Sequence, residues 1–578
     1  MADTLSSDLS KVTPAEAWQA YAPSAAVPWN KKWVTHLYRR AAFGANPVET
    51  EQALKDGPQK TLDRLMKGSP DAAELLEVYT DAGEYFRDIT QLRVWWLSLM
   101  VESGHPLREK MALFWHNHFA TSQSKIQNTR QMFDQNVMLR KHALGKFRPF
   151  LLDMSKDTAM LVWLDSNRNV KGAPNENYAR EVMELFSLGV GHYTEKDIQE
   201  AARALTGWHH SGGWNYDPRT ASDTLSFEFN KDLHDAGPKT IFGKTGNWGG
   251  EDVIRLCCEK EECATFLVGK LYAFLISETP PPKALLAPLE AQFRKSEYDI
   301  AALVRTMISS KLFFSDHAYR KRVKWPVEYA LGLIRAVVPD RAPLADIVDP
   351  LAKMGQVLFA PPNVKGWRTG TDWLNSATLL SRNNFAESVA VGNWNRLSVV
   401  NRRNQNGVFA TVAPPPTASV APVTLAEYPD TTSAAIAGVP AAYTFPTQTL
   451  EPNGKPFIVV SPTGTSDLPA PLPAGPPGSQ HPGVIGPATN TPPEPDSKLD
   501  VIPVLFAAKP KTPAELVTRM TELLYGTDVA PATRAKIEKY LADGKKTLTE
   551  KDLESKEFRQ KTRESLHALT CLPEYQLD

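Results

Sequence analysis

The chain has 578 residues, with 65 Lys+Arg against 65 Asp+Glu, four Cys and 42% apolar residues. Zero net charge leaves no basic surplus to hold a polyanion, which argues against a nucleic-acid binder, and four cysteines exclude a disulfide scaffold. The length allows one large core or roughly two to four domains, and a mean hydropathy of −0.33 fits a soluble globular protein. Residues 1–28 read as a helical lead-in, opened by Thr13-Pro14-Ala15-Glu16, a capping box with Pro in the first turn. The start, MADTLSSDLSKVTPAEAW, lacks a basic n-region and an apolar h-region. It therefore predicts a cytoplasmic protein, or an exported one if a signal has been trimmed.

Residues 29–405 form the expected main domain, and all fourteen Trp fall in residues 1–405, from Trp18 in the lead-in to Trp394 near the end of that domain. Helical spacing recurs through it: Leu37 and Ala41, Met111 to Trp115, Tyr178 with Val182, Leu185 and Phe186, then Ile198, Ala201, Ala202 and Leu205. Thr194-Glu195-Lys196-Asp197 opens one of these helices as a capping box. Period-two alternation is confined to residues 225–242, where a small hairpin is expected. The longest apolar run, Phe266 to Ile276, is interrupted by Lys270 and falls short of the ~18 residues needed to span a bilayer. Residues 406–505 read as an irregular insertion: 411–500 hold 20 of the 46 Pro, with two Lys against seven Asp/Glu. Pro removes a backbone donor and clashes with the preceding helical turn. Only Phe457 to Val460 suggest a short strand. Residues 506–578 return to helical patterning behind Thr512-Pro513-Ala514-Glu515 and are expected to pack on the main domain. The predicted fold is mainly α, a multi-helix globular domain with minor β hairpins and a long Pro-rich irregular insertion.

The chemistry concentrates in residues 175–189. Glu181 and Glu184 stand three apart, so both carboxylates lie on one helix face, with Arg180 beside them. Paired carboxylates on a helix are one ingredient of metal sites in helical bundles. Imidazoles are available from His116 and His118, which converge only if their helix ends near Trp115, and a second loop pair is His234-Asp235. Carboxylate and neutral imidazole together suit a divalent transition metal, Zn, Fe or Mn. The metal set is then His116, His118, Glu181, Glu184, His234 and Asp235, and the catalytic set Glu181, Glu184, Arg180 and His116. The competing reading is structural, with Glu181 paired to Arg180, Arg140 or Arg203. A third is acid–base work by Glu181 or His116 without a metal. A ligand loop is the alternative site: Asn363, Lys365, Trp367, Asp372 and Trp373 combine polar groups with indoles that either cover a sugar face or fill the core. Gly237 to Thr245 nearly matches a phosphate-binding loop, but five residues separate its glycines and no buried strand precedes it. Cys257, Cys258, Cys263 and Cys571 read as free thiols.

Several long blocks resemble the domain-of-unknown-function 1800 family. They are His36-Leu37-Tyr38-Arg39-Arg40-Ala41-Ala42-Phe43-Gly44, Leu107 to Met111 leading into Phe114-Trp115-His116-Asn117-His118-Phe119, and Asn175-Glu176-Asn177-Tyr178-Ala179-Arg180-Glu181 through Gly189. Thr194 to Trp208, His234-Asp235, Pro361-Pro362-Asn363-Val364-Lys365-Gly366-Trp367 and Leu572-Pro573-Glu574-Tyr575-Gln576 complete the likeness. The resemblance covers most of residues 30–395 and about 510–578. It implies a bacterial, mostly helical protein without a settled activity, often exported and often encoded beside a sulfatase-like protein that would be its partner. The missing signal and the Pro-rich insertion depart from that pattern. Two functions remain open: a hydrolase or oxidoreductase built on a Glu/His pocket, with or without a metal, and a non-catalytic scaffold acting with the sulfatase-like partner.

Overall fold

Local capping chemistry sets most element starts in the computed structural model, which describes residues 5–83, 88–212, 225–338, 343–392, 500–527 and 529–578. Helix α1 (Lys31–Ala41) begins where the Asn30 side chain accepts from the Trp33 amide at 3.3 Å. Helix α2 (Pro47–Lys67) opens with a reciprocal Asn46–Glu49 box and kinks at Gly57, whose φ is 75°. Among the helices that follow are α3 (Ile89–Glu102), α4 (Pro106–His118), α5 (Thr129–His142) and α6 (Phe147–Lys156). Helix α7 (Asn177–Glu181) runs directly into a π-helical turn over Val182–Ser187. Helix α8 (Glu195–Ala204) starts at the Thr194–Asp197 box anticipated from the sequence.

The β structure is small. Strand β1 (Trp208–His210) pairs antiparallel with β2 (Phe227–Phe229), and β3 (Lys239–Ile241) with β4 (Lys244–Gly246). The hairpin expected inside 225–242 is thus corrected: β2 and β3 each pair outward, to 208–210 and 244–246. The reason lies in the turn. Phe242 and Gly243 have φ of 50° and 75°, the two positive values that a tight two-residue hairpin requires. The loop that nearly matched a phosphate-binding motif is this hairpin, a strand–turn–strand with no helix to receive a phosphate.

The remaining principal helices are α9 (Gly250–Glu259), α10 (Glu261–Leu275), α11 (Pro326–Val337), α12 (Ser376–Val391), α13 (Pro513–Tyr525) and α14 (Lys556–Thr570). Helix α14 packs along α12, and α13 packs against α1 and α11, so residues 500–578 join the main domain in one unit. Nearly all of the Pro-rich insertion, with the strand expected at Phe457 to Val460, lies outside the described residues. The core is rich in aromatics; Trp96, Trp115 and Trp373 are among its largest fully buried side chains. Cys257, Cys258 and Cys263 are buried free thiols.

Helix α4 is buried on every side, which forces its charged residues to find partners inside. Glu109 accepts two hydrogen bonds from the Arg140 guanidinium, at 2.7 and 2.9 Å. Lys110 pairs with Glu328 on α11 and donates to the Arg39 carbonyl at 2.8 Å. Glu328 also accepts from Arg322 at 2.5 Å and from the Trp325 amide at 2.7 Å. Arg322 reaches the Asp578 carboxylate at 2.7 Å, and Arg40 donates to the Asp578 carbonyl at 2.7 Å. Removing one member of such a cluster leaves its partners charged and dry. Glu328→Gln is expected to destabilise the fold by about 3–5 kcal/mol, seen as a large fall in the urea unfolding midpoint. An unchanged midpoint would show that the cluster contributes little.

Candidate functional site

The end of α4 bears on the two histidines singled out from sequence. The helix does not stop at Trp115 but continues to His118, with Phe119 as its cap. Two residues apart on a continuous helix, the imidazoles point to different faces. His116 is boxed by Trp96, Phe359 and Trp367 at ring separations of 5.3, 5.6 and 5.1 Å. Its Nε2 is buried without a partner, and burial pushes its pKa down to about 3. His118 lies among Trp115, Phe119 and Phe266. Its Nε2 donates to the Phe186 carbonyl at 3.0 Å, which assigns the neutral tautomer.

The acidic pair is presented differently. Asn175 accepts from the Asn177 amide at 2.9 Å and starts α7, and the π turn then carries Glu184. One residue is accommodated extra in that turn; the Leu188 amide reaches back five positions to the Met183 carbonyl at 2.9 Å. Such turns are rare and recur at functional sites. Glu181 is half-buried, and its pKa is raised, first by burial and then by the charge of Glu184, against the opposing pull of Arg180 and Lys365. Glu184 accepts from the Tyr193 hydroxyl at 2.8 Å. Burial and Glu184 itself push that phenol up to about 12, so it remains a donor.

The guanidinium groups expected to neutralise Glu181 are engaged elsewhere. Arg180 binds Glu195 at 2.7 Å and Glu176 at 3.3 Å. Arg140 holds Glu109. Arg203 is divided between Glu200 and Asp235 at 2.9 and 2.8 Å. The alternative loop does approach this acidic pair, because the Lys365 charge bears on Glu181. Its position depends on Gly366, at φ 87°, where a Cβ would fall 2.3 Å from the Asn117 side-chain oxygen. That same oxygen accepts from the Trp367 amide at 2.6 Å. Trp367 and Trp373 are 4% and 1% exposed, so the loop offers no aromatic platform for a sugar; its indoles fill the core. Asn363, Lys365 and Asp372 stay at the surface.

His234 and Asp235 serve the local fold. The His234 Nδ1 lies 2.9 Å from the Thr206 carbonyl, and Asp235 is clamped by Arg203, which lowers its pKa. Among the described residues, no group of three or more His, Cys, Asp or Glu comes together as a metal-ligand set. The six residues proposed as one metal centre are therefore distributed over two faces of α4, the end of α7, the π turn and the β2–β3 loop. They do not fit a shared transition ion.

Sequence reasoning passed over Lys270 on α10. It lies 5.0 Å from the Phe266 ring centroid and its charge depresses His118. Burial brings its own pKa down to about 8. The signal was present as the lone charge within the apolar run from Phe266 to Ile276.

The acidic pair carries a pH signature. Where the folded pKa of an acid exceeds its unfolded value, the native state binds more protons between the two, and stability falls as pH rises through that window. Glu181→Gln is expected to raise the melting temperature at about pH 7 and to lose that gain well below the ordinary value of 4.5. Thermal melts across pH measure this; a variant less stable than its parent at neutral pH would contradict it.

No curated protein and no solved structure matches the chain. Residues 36–577 match the family described as protein of unknown function (DUF1800), which spans the aromatic box, the π turn and the Lys365 loop. The chain belongs to the DUF1800 family.

Proposed function

We propose that this protein is a hydrolase that works by acid–base catalysis at Glu181 and Glu184 without calling on a metal. The observation that carries the reading is an acid pair with divergent environments: one half-buried carboxyl with a raised pKa and, among the described residues, no ion-pair partner of its own, beside another held by a tyrosine hydroxyl. A carboxyl whose surroundings favour its protonated form suits the role of acid beside a second carboxylate that serves as base.

In this scheme the protonated Glu181 gives its proton to the leaving atom of the substrate. Ionised Glu184, oriented by the Tyr193 O–H, takes a proton from an attacking water. The new bond forms from that water oxygen and the old bond breaks toward the protonated leaving group. Solvent then returns the proton from Glu184 to Glu181. Lys365, exposed beside the pair, would balance negative charge that develops during attack. Arg180 is a positioning residue, tying α7 to the start of α8 through Glu195. His116 contributes packing rather than proton transfer, because it is enclosed by aromatic rings.

The test is a hydrolysis panel of 4-nitrophenyl esters, phosphates and glycosides, run in EDTA. At least one class is expected to turn over, and Glu181→Gln should lower kcat by about 10²–10⁴-fold while the fold is retained. Turnover indistinguishable from the Glu181→Gln background across all three classes would refute the proposal.

A further inference from the structure

A second site lies away from the Glu181 pair, where α1, the segment ahead of α11 and α13 enclose a cavity of about 80 Å³. Beside Lys31, which is paired with Glu522, its wall carries three cations from three separate elements: Arg39 on α1, Lys324 before α11 and Arg519 on α13. It also carries Glu328, Asp578 and Glu522, but these acids are already committed. Glu522 is held by Lys31 at 2.6 Å. Glu328 is shared by Lys110 and Arg322, and Asp578 by Arg322 and Arg40. Glu51, also on the wall, is exposed to solvent.

The three cations are not so provided. Among the described residues, no carboxylate lies within the 4.0 Å ion-pair distance of Arg39, Lys324 or Arg519. Arg39 and Lys324 are only 8% and 3% exposed. What they find instead is neutral: Arg39 donates to the Leu524 carbonyl, and Lys324 to the Tyr575 carbonyl at 2.6 Å. The Nε of Arg519 is buried with no partner at all. Arg382, adjoining through its bond to the Lys324 carbonyl at 2.8 Å, adds another fully buried cation without a carboxylate. Burial, and then the charge of Arg39, hold the Lys324 ammonium well below its ordinary pKa, as expected of a cation that lines a cavity without a counter-charge.

We propose that this cavity binds the phosphate group of a small ligand, with its oxyanion seated among Arg39, Lys324 and Arg519. Cations arriving from three directions match a tetrahedral oxyanion better than a planar carboxylate, which is best served by one guanidinium in its own plane. The volume admits an oxyanion-sized group, since a single water needs about 10–15 Å³ by the same measure. The reading is independent of the Glu181 chemistry.

Isothermal titration of the full chain with inorganic phosphate and with glycerol 3-phosphate, at ionic strength matched with sodium chloride, tests it. Saturable binding of at least one is expected with a Kd of about 1 mM or below. Tighter binding of inorganic phosphate identifies the free ion as the ligand; tighter binding of glycerol 3-phosphate identifies a phosphoryl group on a small organic molecule. Arg39 and Lys324 are part of the core, so the discriminating variant is Arg519→Gln at the half-exposed rim. It should weaken binding about tenfold while leaving the unfolding midpoint of the phosphate-free protein unchanged. Absence of saturable heat with both compounds up to about 10 mM, or wild-type affinity in Arg519→Gln, would overturn the proposal.

Discussion

The rule that a buried charge must meet an opposite charge or a full set of hydrogen bonds governs this molecule. Its expression is the cluster Lys110, Glu328, Arg322, Asp578 and Arg40, all at most 4% exposed. These five residues come from four distant stretches of the chain, one of them α4 itself. The cluster therefore ties the first long helix, the central helix, the start of α11 and the segment after α14 into one arrangement. Aromatic rings complete it: the Lys324 ammonium stands 3.7 Å from the Tyr575 ring centroid, and Arg322 packs over Phe274 at 5.0 Å.

Helix α4 links this cluster to the acidic pair. Its first half supplies Glu109 and Lys110 to ion pairs, and its last turn supplies His116, Asn117 and His118. Asn117 receives the Gly366–Trp367 backbone, and His118 binds the carbonyl of Phe186 within the π turn. The two elements that carry Lys365 and Glu181 thus lean on the same rigid helix end. A carboxylate pair mounted on such a support keeps its geometry while Glu181 stays only half-buried. The π turn adds the local adjustment that brings Glu184 under the Tyr193 hydroxyl.

Much of this architecture was legible in the amino-acid order. Thr194 with Asp197 and Thr512 with Glu515 mark helix starts through contacts three residues apart, and Tyr178, Val182 and Phe186 mark a buried face through helical spacing. The acidic pair was legible for the same reason, as was the Gly-rich segment 237–245 as something other than a phosphate loop. The partners were not. Nothing near Glu181 in sequence indicates that Arg140 and Arg203 are engaged elsewhere, or that Lys365 is its neighbour. The imidazoles were expected to converge on a metal, and the continuation of α4 by three residues past Trp115 separates them.

By itself, the sequence determined the helical class, the positions of caps and turns, the family and the stretch in which the paired carboxylates stand. All of these depend on interactions within a few residues, where spacing and side-chain type suffice. Tertiary structure alone decided which charges are paired, which histidines are enclosed and where three cations are left around a cavity. Those outcomes depend on side chains hundreds of positions apart, such as Arg40 and Asp578 or Arg39 and Arg519, whose meeting is set by the packing of whole helices and by no local preference.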